Sequence, residues 1–279
     1  TGAMVSYHNP TDLASALETL TRQGGKVVAG GTDVYPSARQ GQRPAFFLDV
    51  TRIAGLSGIS RTEAGYRFGA ATTWTEILNA DLPPAFHGLK SAAAEVGSIQ
   101  IQNAGTIAGN LCNASPAADG VPPLLTLDAQ VELTSAANGV RILPLSQFIT
   151  GARQTALAPE ELLTAVLVPE PPQNATSAFE KLGSRRYLVI SITMTACLIC
   201  LDTNNRITEA RIAVGACSPV ARRLHDLEQA LIGKTLQEVA VEADHLAPLT
   251  PIDDVRGSAD YRLDVVAEQI RRAIQKAAA

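Results

Sequence analysis

Leu13, Leu17 and Leu20 recur three to four positions apart, between Thr11-Asp12 and the pair Gly24-Gly25. Such spacing puts them on one helical face, so the pattern predicts a helix over 13–23, capped by Thr11 or Asp12 and ended by the glycines. Lys26-Val-Val-Ala29 then reads as a short buried strand that runs into Gly30-Gly31-Thr32-Asp33. A second helical piece follows, and 45–50 is the next strand. This is a strand–loop–helix–strand unit with two glycines at the carboxyl end of its first strand.

From about 56 to 168 the periods mix. Residues 66–70 read as a strand, 75–79 and 89–95 as helices, and 130–134 alternates like a half-buried strand. The stretch 169–177, PEPPQNATS, has the composition of a domain linker. Three antiparallel strands are expected beyond it, at 179–182, 189–202 and 207–216, with a turn at Thr203-Asn204-Asn205 between the last two. Helices over 222–231 and 261–278 close the chain, and no internal repeat is visible. The division expected is α+β: a domain over 5–170, with parts 5–55 and 56–170, then one over 176–279.

One stretch carries almost no core pattern. Residues 101–122, IQNAGTIAGNLCNASPAADGVP, hold three Gly, three Asn and two Pro but no aromatic residue and no Lys or Arg. Gly and Asn tolerate positive φ, so the stretch reads as a loop, and an ordered loop of that length tends to be functional.

Composition narrows the function classes. The 279 residues are 46% apolar and 18% charged, as in ordinary globular domains. A net charge of −4, with no basic run longer than pairs such as Arg185-Arg186, argues against a dedicated nucleic-acid binder. The most apolar run, 189–201, is shorter than the roughly 20 residues a membrane span requires and is rich in β-branched residues, so it reads as a buried strand. Thr1-Gly2-Ala3-Met4 looks like a cleavage scar ahead of a start at Met4. With no secretory signal visible, the Asn113 and Asn174 glycosylation matches carry no weight, and the expected compartment is the cytoplasm.

Cys112, Cys197, Cys200 and Cys217 are expected as unlinked, mostly buried thiols. Cys197 and Cys200 form a C-x-x-C, but positions three apart on a strand face opposite ways and cannot chelate one ion. No metal is expected on this chain.

Two glycine-rich stretches remain. A strand ending in two glycines and a hydroxyl residue leaves backbone N–H groups free to gather an anion, most often phosphate; the alternative for Gly30-Gly31 is a plain tight turn. No G-x-G-x-x-G occurs. Gly233-Lys234-Thr235 resembles the end of a P-loop, but Glu228 stands where its first glycine belongs, so Gly233 reads as a helix stop. In the second stretch Ala104-Gly-Thr-Ile-Ala-Gly-Asn110 again offers small residues, a hydroxyl and an amide, with Asp119 beyond as an acceptor for a ribose hydroxyl. Two such stretches suit a pyrophosphate gripped from both sides.

VVAGGTDVYP and NAGTIAGNLCNASPAADGVPPLL together resemble the FAD-binding medium subunits of molybdenum hydroxylases, the xanthine dehydrogenase and carbon monoxide dehydrogenase family. The resemblance runs from Ser6 to about Ala273. It implies a two-part FAD domain of the vanillyl-alcohol-oxidase type, followed by a three-stranded antiparallel sheet with helices. Matched by position, Lys26, Val27, Val28, Ala29, Gly30, Gly31, Thr32, Asp33 and Val34 would line the adenosine-diphosphate half, with Ala29 to Thr32 giving backbone donors. Thr106, Ile107, Ala108, Gly109 and Asn110 would bind the pyrophosphate from the second stretch, and Asp119 would hold ribose or ribityl hydroxyls. Leu163 and Lys181 match flavin-ring contacts at the domain junction, and Ile190 matches the residue over one ring face; its alternative is strand core.

Two departures stand out. Ala108 replaces the first glycine of the family's T-I-G-G-N, which is tolerated if φ there is negative. Val189-Ile190-Ser191 replaces an Asp-Ile-Ala, which leaves the electron acceptor open. The cysteine-rich insertion that carries an added cluster in some relatives is absent from the sequence.

The implied partners are a large chain with a molybdenum–pterin centre and a small chain with two [2Fe–2S] clusters, as a dimer of heterotrimers. Electrons would enter from the clusters and leave to NAD⁺ or another acceptor. Two readings of other classes stand beside this one. A self-contained flavin oxidase finds no support in His8, His87, His225 and His245, which are scattered. A nucleotide-binding regulatory module leaves Lys181 and Leu163 without a role.

Overall fold

The computed structural model describes residues 6–35, 46–183, 190–254 and 257–279. Ala45 and Val189, Arg185-Arg186 and the four leading residues of the sequence reading lie outside them.

Strand β1 (Ser6–His8) leads into the helix Leu13–Gln23, where the Asp12 side chain accepts from Ser15 N and Gly24 turns at φ 65°. Both predicted caps are in place. Strand β2 (Lys26–Val28) follows, and β3 (Phe46–Asp49) pairs in parallel with both, giving the order β1-β3-β2. Leu17, Leu20 and Leu48 fill the small core beneath this sheet.

The next layer is a five-stranded antiparallel sheet built from β4 (Ile59–Thr62), β5 (Gly65–Gly69), β6 (Gln130–Ser135), β7 (Gly139–Pro144) and β10 (Leu162–Pro169), in the order β4-β5-β10-β6-β7. A separate small hairpin joins β8 (Ile149–Gly151) and β9 (Gln154–Thr155). Helix Trp74–Asn79 packs against His87–Glu95, which lies on the C-terminal strand Thr176–Leu182, and their Trp74, Ile77 and Leu89 sit with Phe68 and Phe86 in the largest core.

The C-terminal sheet comprises β11 (Thr176–Leu182), β12 (Thr193–Leu201), β13 (Ile207–Gly215) and β14 (Arg222–Arg223), in chain order. It has four strands rather than the three expected. Arg222 and Arg223, read as the start of a helix, pair with Val214 and Ala213, and that helix spans His225–Leu231. It ends at Ile232, whose ψ of 130° is extended, and Gly233, expected as the helix stop, sits in the turn just beyond at φ 79°. The long helix Ala259–Ala278 packs across β11 and β12 through Val266 and Ile270.

The 101–122 stretch is not the single loop its composition suggested. It holds most of the helix Ile99–Ala104, all of Ile107–Asn113 and the start of Val121–Thr126. Thr106 caps the second of these, and Ile107 and Leu111, four apart, are fully buried. Small residues here serve close packing instead of disorder.

Candidate functional site

The loop after β2 and the helix Ile107–Asn113 face each other across a cavity of about 170 Å³, lined by Lys26, Val27 and Ala29 to Val34 on one side and Thr106, Gly109 and Asn110 on the other. The two glycines hold this loop for different reasons. Gly31 turns at φ 68°, a region L side chains rarely enter. Gly30 lies so close to the helix Ile99–Ala104 that a Cβ would overlap the Ala104 carbonyl oxygen. Gly30, Gly31 and Thr32 all line the cavity, and their backbone N–H groups have no partner among the described residues.

The second stretch contributes differently from what its sequence suggests. The N–H groups of Ile107, Ala108 and Asn110 donate to Thr72 O, Ala70 O and Thr106 O, and that of Gly109 to Thr106 Oγ1. They are spent on the fold. Thr106, Gly109 and Asn110 still line the cavity, and the buried Asn110 Oδ1 has no hydrogen-bond partner among the described residues. A buried acceptor left unpaired is costly and marks a place for a donor. Ile107 is wholly inside the core and Val28 is 2% exposed, so neither faces the cavity. Ala108 has a helical, negative φ that accommodates its methyl.

A second, more apolar cavity of about 330 Å³ shares Lys26, Val27, Ala29, Thr106, Gly109 and Cys112 with the first. Leu163 lines it together with Leu20, Val50 and Ala108. Leu163 was expected at the junction with the C-terminal sheet; on β10, opposite Leu133, it faces the space between the first two sheets instead.

Asp119 and Lys181, 62 positions apart, form a buried ion pair: Lys181 Nζ donates to Asp119 Oδ2 at 2.6 Å and to Glu95 O at 3.2 Å. Ser191 Oγ donates to Asp119 Oδ1 at 2.7 Å. Burial raises the Asp119 carboxyl above its ordinary value, against the pull of Lys181 and Ser191. Each carboxylate oxygen therefore accepts one hydrogen bond within the chain, which fixes how Asp119 is oriented and leaves lone pairs for a further donor. Ile190 precedes β12 and is 57% exposed, so it is not strand core.

Sequence reasoning missed Trp74, Ile101 and Gly105, which line the first cavity. Trp74 N donates to Gly105 O, and Thr73 bridges to Thr106. The capping box Thr73–Glu76 was the available signal. All four cysteines are free, and among the described residues no three His, Cys, Asp or Glu gather as for a metal. No helix among those residues is long and apolar enough to cross a membrane.

An apolar cavity thus borders a loop of unpaired N–H groups, beside a backbone approach that admits no side chain. Comparison with known proteins gives the family. Residues 3–171 match the family model "FAD binding domain in molybdopterin dehydrogenase", and residues 177–277 match "CO dehydrogenase flavoprotein C-terminal domain". The xanthine dehydrogenase FAD-binding subunit of Escherichia coli O157:H7 is 32% identical, over 98% of this chain and 96% of that one. Subunit alpha of the 6-hydroxypseudooxynicotine dehydrogenase complex of Paenarthrobacter nicotinovorans is 33% identical, over 90% and 86%. A chain of reconstituted CO dehydrogenase from Oligotropha carboxidovorans superposes with a TM-score of 0.88 at 27% identity, covering 99% of this chain and 98% of its own. The chain belongs to the FAD-binding medium subunits of the xanthine dehydrogenase and CO dehydrogenase family, the flavoprotein subunits of these oxidoreductases.

Proposed function

We propose that this chain accepts electrons from [2Fe–2S] clusters on a small partner chain, supplied by a molybdenum–pterin large chain, and delivers them to NAD⁺ or another soluble acceptor. Its 5–170 part is then a vanillyl-alcohol-oxidase-type FAD domain, 176–279 its C-terminal companion, and the complex a dimer of heterotrimers. The four free thiols fit a reducing compartment, the cytoplasm.

The observation that carries the reading is the shared wall of the two cavities. Lys26, Val27, Ala29, Thr106, Gly109 and Cys112 border both, so one groove runs from a polar glycine cradle to an apolar slot. In this reading the N–H groups of Gly30, Gly31 and Thr32 hold the pyrophosphate, Asn110 accepts a hydroxyl or amino donor, and Leu163 serves the adenosine end. Lys181, fixed by Asp119 and Glu95, keeps a positive charge beside the ring's carbonyl edge, and Ile190 shields one face. Bound FAD supplies the redox chemistry, accepting electrons singly and releasing them in pairs. The protein's own work is to bind, orient and keep water from that edge.

Titration of the apo chain tests this: FAD should bind non-covalently, about one per chain, and more tightly than FMN, which lacks the pyrophosphate and adenosine. Equal affinity for the two would overturn the groove. The flavin-oxidase reading would take its place if the chain alone oxidised a small alcohol at an enzymatic rate.

A further inference from the structure

Two segments of the C-terminal sheet reach across to the turn at 115–119 that follows the helix Ile107–Asn113. Ala216, just past β13 and at φ 61°, donates its N–H to Pro116 O at 3.0 Å. Ser191, just ahead of β12, donates its hydroxyl to Asp119. Both segments lie just outside the strand pairings; the Ile192 N–H still donates to Leu182 O at 2.7 Å, and the Ile192 and Ala216 carbonyls take a further support.

One side chain supplies it. Arg262, in the first turn of the helix Ala259–Ala278, donates from Nη1 to the carbonyl oxygens of Ile192 and of Ala216, the latter at 3.1 Å. Its Nη2 donates to Asp254 Oδ1 at 2.7 Å. Arg262 is 2% exposed. A buried guanidinium carries a large desolvation cost, and packing alone would be met more cheaply by an apolar side chain of that length. What an apolar side chain lacks is a planar group in which one nitrogen donates to the Ile192 and Ala216 carbonyls while a second is held by Asp254.

We propose that Arg262 is a positioning residue for the flavin end of the site. By drawing Ile192 and Ala216 together it sets the adjacent Ser191 and the Ala216 N–H. These in turn seat the turn that carries Asp119, and Asp119 seats the Lys181 ammonium. The inference rests on the reading of Lys181 and Ile190 as flavin-facing. No residue of the path from Asp254 through Arg262 to Ser191 lines either cavity.

The test compares the full chain with Arg262→Met, Arg262→Lys and Ser191→Ala. FAD is the probe, and its dissociation constant and the visible absorbance and circular dichroism of the bound flavin are the readouts. Arg262→Met should weaken FAD about tenfold and shift the flavin bands, the size expected when a charged hydrogen-bonding group is lost. Arg262→Lys, which keeps the charge but not the planar group, should restore the result only in part. Ser191→Ala should reproduce the spectral shift with a smaller loss of affinity.

A folded Arg262→Met chain with lower thermal stability but unaltered affinity and flavin bands would show a purely structural role and overturn the proposal. Should Arg262→Met fail to fold, Ser191→Ala decides, and unaltered bands there overturn it equally. If the unaltered chain binds no FAD, the reading of the site fails and this inference with it.

Discussion

At the scale of single residues, Gly30 and Gly109 separate by what a methyl would meet. At Gly30 it would overlap the backbone carbonyl of Ala104, which cannot swing aside; at Gly109 it meets Thr106 Oγ1 at 2.9 Å, which can rotate. Gly30→Ala should therefore destabilise the chain by about 2 kcal/mol and abolish tight FAD binding. Gly109→Ala should cost about 1 kcal/mol, mainly the Thr106 cap, and weaken FAD less. Gly109→Val should abolish binding while the fold persists. Thermal melts and FAD titrations rank the three, and equal losses for the two alanine variants would contradict the packing. The thiols give a second test. Burial pushes Cys112, Cys197 and Cys217 up to about 12 and also raises Cys200. The thiolate is the reactive form, so a disulfide reagent at about pH 8 should react slowly with native protein. The full four should appear after denaturation.

Among elements, β7 is joined by a charge pair to the turn just ahead of β10. Arg141 on β7 donates to both oxygens of Glu161, at 2.6 and 2.8 Å, and Ala158 N adds a third bond. The Arg141 hydrogen bonds hold the Glu161 carboxyl below its ordinary value. A depressed carboxyl contributes stability above its unfolded value of about 4.3 and loses it as pH falls through the lower folded value. Glu161→Gln should cost about 1 kcal/mol near neutrality, reduced by solvent at the half-exposed Arg141. The gap between the two proteins in urea unfolding should narrow as pH falls below the unfolded carboxyl value and close once it passes the lower folded one; a constant gap would argue against the ion pair. The elements also show what a sequence makes legible. The helix Leu13–Gln23 was readable because period, cap and glycine stop coincide. Ile107–Asn113 was not, since its one turn of period, Ile107 to Leu111, sits among Gly and Asn that elsewhere favour loops. Arg222–Arg223 form a strand only because β13 offers an edge, and an edge leaves no local pattern.

Across the whole molecule, polar pairs stitch the C-terminal sheet to what precedes it. Ser177 Oγ accepts from Gly88 N, Arg223 donates to Asp128, and Lys181 holds Asp119. Unpairing a buried charge such as Asp119 is expensive. Residues 6–175 expressed alone should therefore not fold stably, and calorimetry of the full chain should show one transition rather than two. Two well-separated transitions would show that the halves stand independently. The Gly30-Gly31 turn after β2 was legible from residue type alone. The Asp119–Lys181 partnership was not, because nothing local links positions 62 apart. The Gly30–Ala104 approach leads further. Where two jaws meet main chain to main chain, the width of the slot between them is a property of the backbone, independent of the side chains that decorate it. Substitution elsewhere around the groove can retune a potential or a partner, but the gap acts as a fixed gauge, and only a side chain at Gly30 itself or an insertion or deletion in the 29–34 loop or near 104 can recalibrate it.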